Sequence, residues 1–152
     1  MNHTNLTLSL LSYTFAICRL EPEADIPSWA LAGDFFSVTR TKEELSLVCL
    51  QKIVPEGTRC EKDFRSIKVE GPLDFALVGV LASLTKALAQ EEISILAIST
   101  FDTDYLLVKE AQVDRAVQKL SSWTPVCLAR IPFRFYSFSL VPDPMLCYSH
   151  LV

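Results

Sequence analysis

Between residues 66 and 121 the period of the apolar residues switches between that of a strand and that of a helix in a definite order, and this order constrains the fold more than any other feature of the chain. SIKVE (Ser66 to Glu70) reads as a short strand closed by Gly71-Pro72. Leu77, Leu81, Leu84 and Leu88 then recur at helical spacing, which predicts a helix from Asp74, as its capping residue, to about Gln90. Ile93 to Phe101, dense in β-branched residues, predicts a strand, and Tyr105 to Val108 its short antiparallel return. Val113, Ala116, Val117 and Leu120 give a second helix. The order is β-α-β-β-α, and one more strand within Pro125 to Phe133 would complete β-α-β-β-α-β, the ferredoxin-like plan of an α+β fold.

The first third of the chain reads differently. Leu6 to Leu20 predicts a strand ended by the acidic EPEADIP, followed by a short helical turn around Ser28 to Ala32. FFSVTRT and LSLVCL read as a hairpin about Lys42-Glu43-Glu44, and VPEGTRCEKD as a surface connection. The hairpin FFSVTRTKEELSLV echoes LAISTFDTDYLLV: each runs apolar strand, Ser/Thr, polar turn, apolar strand, which predicts two related half-units. RFYSFSLVPDPMLCYSHLV repeats the scheme more faintly.

At 152 residues, half of them hydrophobic, the chain is long enough for one compact body or two small half-domains. The net charge of -4 and the scattered lysines and arginines exclude a nucleic-acid stripe. The cluster Phe133, Phe135, Tyr136 and Phe138 accordingly reads as a packed strand or dimer face and not as a base-stacking platform. No apolar run reaches the length of a membrane span, and the opening MNHTNLTLSLL lacks the features of a signal peptide, so a cytoplasmic protein is expected. Five cysteines without a C-x-x-C pair, and two histidines near opposite ends, leave no metal site, no disulfide framework and no nucleophile-histidine pair to build; no cofactor is implied.

ISTFDTDYLLV (Ile98 to Val108) places two carboxylates in the second hairpin. In one strand Asp102 and Asp104 would lie roughly 7 Å apart and repel by about 0.6 kcal/mol in water, or about 2.4 kcal/mol at an effective dielectric near 20. They either decorate a solvated turn or face a cation from outside the chain. An acid/base pair would need further positioned donors, and none is visible. Gly79, inside the predicted helix, costs about 1 kcal/mol relative to alanine; close packing or the approach of a ligand or partner subunit would offset it. The donors of the helix N-terminus could hold a carboxylate, if Asp74 does not already occupy them.

These strings carry a resemblance. EGPLDFALVGVLASLTKALAQ, ISILAISTFDTDYLLVKE and DRAVQKL look like the ACT domain, as found in small bacterial tandem-ACT proteins and, more distantly, in animal cytosolic arginine sensors. YTFAICRLEPEADIPSWALAGDFFSVTRTKEELSLVC resembles the N-terminal module of the same group. The resemblance implies a ferredoxin-like sheet with two helices on one face, a non-catalytic role, and a small ligand, usually an amino acid, bound between modules. It implies ligand-binding positions at Gly79, Thr100, Phe101 and Asp104, with Ser94 and Ile95 contributed from a facing module. With one well-matched module per chain, that facing module would belong to the partner in a homodimer. Where the animal sensors carry a glutamate before the helix glycine, this chain has Leu77, which argues against arginine itself.

The division expected is an N-terminal ACT-like unit (residues 1–65), a second ACT domain (66–121) and a C-terminal extension (122–152) that could supply the last strand. The function expected is a regulatory sensor of a small amino acid. The alternatives are a dimeric interaction module without ligand and a small enzyme using Asp102 and Asp104.

Overall fold

The computed structural model describes residues 6–74 and 78–122. Among these residues six strands form a single sheet: β1 (Leu8–Leu20), β2 (Ser37–Arg40), β3 (Leu45–Leu50), β4 (Cys60–Val69), β5 (Ile95–Ser99) and β6 (Asp104–Lys109). Their spatial order is β2-β3-β1-β4-β6-β5, and every neighbouring pair is antiparallel. Two helices, α1 (Val80–Gln90) and α2 (Val113–Ser121), complete the α+β architecture, and a 3-10 turn spans Ser28–Leu31. The ferredoxin-like plan expected from residue 66 onward is present as β4-α1-β5-β6-α2. Among the described residues no helix is long and apolar enough to cross a membrane.

The two echoing hairpins lie at opposite ends of this sheet and the register makes them equivalent. Leu20 faces Leu45 across β1 and β3 as Val69 faces Asp104 across β4 and β6. Arg40 faces Leu45 as Ser99 faces Asp104. The two half-units, β1-turn-β2-β3 and β4-α1-β5-β6, are therefore related by a pseudo-twofold axis passing between β1 and β4, where Phe15 faces Phe64. Even the turns match. Thr41 N–H donates to Glu44 O at 2.8 Å, and Thr100 N–H donates to Thr103 O at 2.8 Å. Each threonine hydroxyl also accepts from the backbone N–H three residues on, at 3.2 Å in the first turn and 3.3 Å in the second.

Alternation along the strands supplies a core on both faces. On one face Leu8, Ile67, Val69, Leu106 and Val108 pack under Val80, Leu84, Ala87 and Leu88 of α1 and Val113, Ala116 and Leu120 of α2. Ala16, Cys18, Leu45, Leu47 and Cys49 continue that layer beneath Ala30 of the 3-10 turn. On the other face Phe15, Val48, Leu50 and Leu107 are buried, with Phe35 stacked on Tyr105 and set edge-on to Phe15. The C-terminal end of α1 is tied to α2 by Lys119 Nζ, which donates to Glu91 Oε1 at 2.9 Å, and by Arg115 Nη2, which donates to Glu91 O at 2.6 Å.

Three expectations need correction. The strand around SIKVE begins at Cys60 and crosses residue 65, so CEKD belongs to the sheet and not to a surface connection. Its polar outer half is held by pairing with β1 and by Gln51, whose side-chain amide brackets Asp63 at 2.6 and 2.9 Å. Helix α1 starts at Val80 and not at Asp74, with Gly79 at the cap position in a left-handed conformation (φ 87°). The periodicity of Leu77 with Leu81 hides that break, because apolar spacing carries no information on the sign of φ. Finally, the place beside β4 that the ferredoxin-like plan reserves for its last strand is filled by the N-terminal half of β1, where Leu8 faces Val69 and Leu10 faces Ile67. The strand expected within Pro125 to Phe133, the Phe133 to Phe138 cluster and the third repeat lie outside the described residues.

Phe15 sits on the pseudo-axis with its side chain fully buried. Phe15→Ala should destabilise the protein by about 3–5 kcal/mol in denaturant unfolding, against less than about 1 kcal/mol for substitution of an exposed residue such as Lys86.

Burial, reinforced by Cys49 and Cys60 nearby, pushes the Cys18 thiol up to about 12 from 9.0. The unfolded chain therefore releases that proton before the folded one does. Stability from this group is complete below about pH 9 and is lost as pH rises toward 12, so the melting temperature should fall across that window and fall less in Cys18→Ala.

Candidate functional site

A cleft of about 300 Å3 opens where the start of α1 meets the turn between β5 and β6. Its walls are Leu73 and Asp74, the first turn of the helix from Gly79 to Ala82, and Ser99, Thr100, Phe101, Thr103 and Asp104 of the hairpin. This is at the small end of the range for ligand pockets, roughly 300 to 1,000 Å3.

Local chemistry shapes each wall. Gly79 adopts a φ of 87° that only glycine takes readily, and Ser83 N–H donates to its carbonyl at 2.9 Å to begin the helix. A Cβ placed on Gly79 would meet nothing within 4 Å, so backbone conformation and not close packing accounts for this glycine. Having no side chain, it provides no cap, and the residues of the first helical turn, at the positive end of the helix dipole, line the cleft. Asp74, expected as the cap, lies before the helix and forms part of the cleft wall.

The opposite wall is rigid. The Thr100 hydroxyl donates to Thr103 O at 2.9 Å, and the Thr103 hydroxyl donates to Val69 O, which fastens the turn to β4. Leu73 N–H donates to Asp102 O at 2.8 Å, and Gly71 lies so close to that carbonyl that any Cβ there would collide with it. Asp104, the first residue of β6, accepts a 2.5 Å hydrogen bond from the Ser99 hydroxyl on Oδ1 and borders the cleft. Asp102 lines a different, shallow hollow with Lys68, Gly71, Pro72 and Thr103. The two aspartates thus serve separate surfaces.

Four of the six residues singled out from the sequence, Gly79, Thr100, Phe101 and Asp104, come together at this cleft. Ser94 and Ile95 do not line it; they stand at the start of β5, which pairs only with β6 among the described residues and forms the sheet edge. Sequence reasoning missed Ser99 and Thr103. The T-x-x-T spacing of Thr100 and Thr103 was available as a signal for a hydroxyl-bridged turn. The backbone donors of Val80 to Ala82 leave no mark in side-chain identity. Two large apolar side chains stand at the rim, Val78 at 87% exposure and Phe101 at 78%.

The ACT-domain family model matches residues 59–122, and a second model, described as an N-terminal domain, matches residues 13–57. A solved protein from Agrobacterium tumefaciens is similar at 32% identity over 86% of this chain and 98% of its own, with a TM-score of 0.80. A protein of unknown function from Vibrio cholerae, described as a possible transport protein, is similar at 22% identity over 78% and 89%, with a TM-score of 0.65. The regulatory subunit of aspartate kinase from Thermus thermophilus, in ligand-free form, shares the fold at 10% identity over 74% and 95%, with a TM-score of 0.54. No curated protein matches the chain. The half-unit built on β4, α1, β5, β6 and α2 is an ACT domain, and the chain belongs to the family of small ACT-domain proteins.

Proposed function

We propose that this chain is a non-catalytic cytoplasmic sensor that binds an amino acid in the cleft between α1 and the β5–β6 turn. The observation that carries the reading is the polarity of the cleft: the first turn of helix α1, begun by a glycine that makes no side-chain cap bond, on one wall and Asp104 on the other. A zwitterion carries both matching groups, a carboxylate for the helix donors and an ammonium or other cation for Asp104. Gly79, Thr100, Phe101 and Asp104 form the ligand contacts on one subunit. Ser94 and Ile95, on the open edge of β5, are supplied by the second copy in a homodimer, which makes two equivalent sites. The acid/base alternative is disfavoured because Asp102 and Asp104 line different hollows.

A second reading has its own observation. The exposed Val78 and Phe101 at the rim suit an interaction module that docks a partner over the cleft without any ligand.

A thermal-shift screen of the amino acids separates the two. At 100 times Kd a true ligand adds about 2.7 kcal/mol of stability, a shift of several degrees. Asp104→Ala should abolish that shift while leaving the stability of the free protein within about 1 kcal/mol of the parent, since Asp104 gives up one hydrogen bond from Ser99. Silence across the whole screen would sink the sensor and favour the interaction module. A monomer in sedimentation at micromolar concentration would remove the intersubunit contribution of Ser94 and Ile95.

A further inference from the structure

The pseudo-twofold gives the first half-unit its own counterpart of the cleft, and that counterpart contains an occupant. By register Arg40 stands where Ser99 stands in the second half-unit, and Leu45 where Asp104 stands. The connector leaving β1 corresponds to the connector leaving β4, because Leu20 and Val69 face equivalent residues. Counting on from those strand ends, Ala24 matches Leu73. The Arg40 guanidinium crosses from the hairpin to this connector, donating from Nη2 to Ala24 O at 2.8 Å and from Nη1 to Pro22 O. It bridges strand and connector at the positions equivalent to Ser99 and Leu73, which line the open cleft of the second half-unit.

We infer that Arg40 is a built-in occupant of the first half-unit's copy of the cleft, a tethered guanidinium held by backbone carbonyls, so that each chain offers one open cleft and one closed by its own side chain. A guanidinium suits the closed copy because its planar fork meets two carbonyls at once. Leu45, in the place of Asp104, shows that the closed copy needs no carboxylate. In the open copy the short serine leaves that place to a cationic group from outside, beside Asp104; this last step rests on the sensor reading.

The test removes the occupant and returns it as a small molecule. Arg40→Ser should lower the melting temperature by about 2–4 °C. Methylguanidinium chloride at about 10 mM should then recover at least half of that loss, leave the parent protein unmoved and outdo equimolar tetramethylammonium chloride. An unchanged melting point in Arg40→Ser, or equal responses of parent and variant, would overturn the inference. This arm needs no natural ligand, so its outcome is independent of the amino-acid screen. Ser99→Arg is the converse variant, giving the open cleft an occupant of its own. It should raise the melting temperature and erase any response found in the amino-acid screen. If Ser99→Arg retains that response, the equivalence of the two clefts is refuted.

Discussion

Backbone pairing between β1 and β4 is the contact on which the rest of the structure depends. It joins the two half-units into one sheet, places Phe15 opposite Phe64 on the pseudo-axis, and lets the first strand of the chain complete the plan of the second half-unit. Antiparallel pairing at this position leaves β3 and β6 to flank the central pair and sends the two hairpins to opposite ends. Each hairpin turn is then closed by the same threonine-centred hydrogen bonds, although the residues between the threonine and its partner differ in charge and size.

Similar frames give the two ends different chemistry. At one end a long cationic side chain folds back over its own connector and consumes the carbonyls there. At the other, a serine too short to reach leaves a cleft between a carboxylate and the first turn of a helix. The first half-unit has only a 3-10 turn where the second has α1, so it lacks the aligned dipole that makes the second end attractive to an anion. The asymmetry therefore arises from helix length and from one side chain, on a shared strand topology.

Much of this was legible in the residues. The period of Val113, Ala116 and Leu120 placed α2, the turn around Ser28 was found, and the echo between the hairpins anticipated the pseudo-symmetry. Misreadings occurred where local pattern and backbone geometry part company. Leu77 and Leu81 continue a helical period across Gly79, while the positive φ of Gly79 breaks the helix there. The polar run from Glu61 to Asp63 has no strand signature of its own; Glu61 is held opposite Ile17 of β1, and Asp63, at a bulge with a φ of 63°, is held by the Gln51 side chain.

The sequence by itself determined most of the elements and their order, because periodicity and turn residues are local properties written in side-chain type. It also marked Gly79, Thr100, Phe101 and Asp104 through the resemblance those strings carry. Only the tertiary structure decided that Asp102 and Asp104 face different hollows, that β1 fills the place beside β4 that the ferredoxin-like plan reserves for its last strand, and that Arg40 closes the first copy of the cleft. Those outcomes depend on strand register and on which backbone carbonyls and N–H groups remain unpaired. Both are fixed by contacts between segments far apart in the chain, and neither has a signature in residue type.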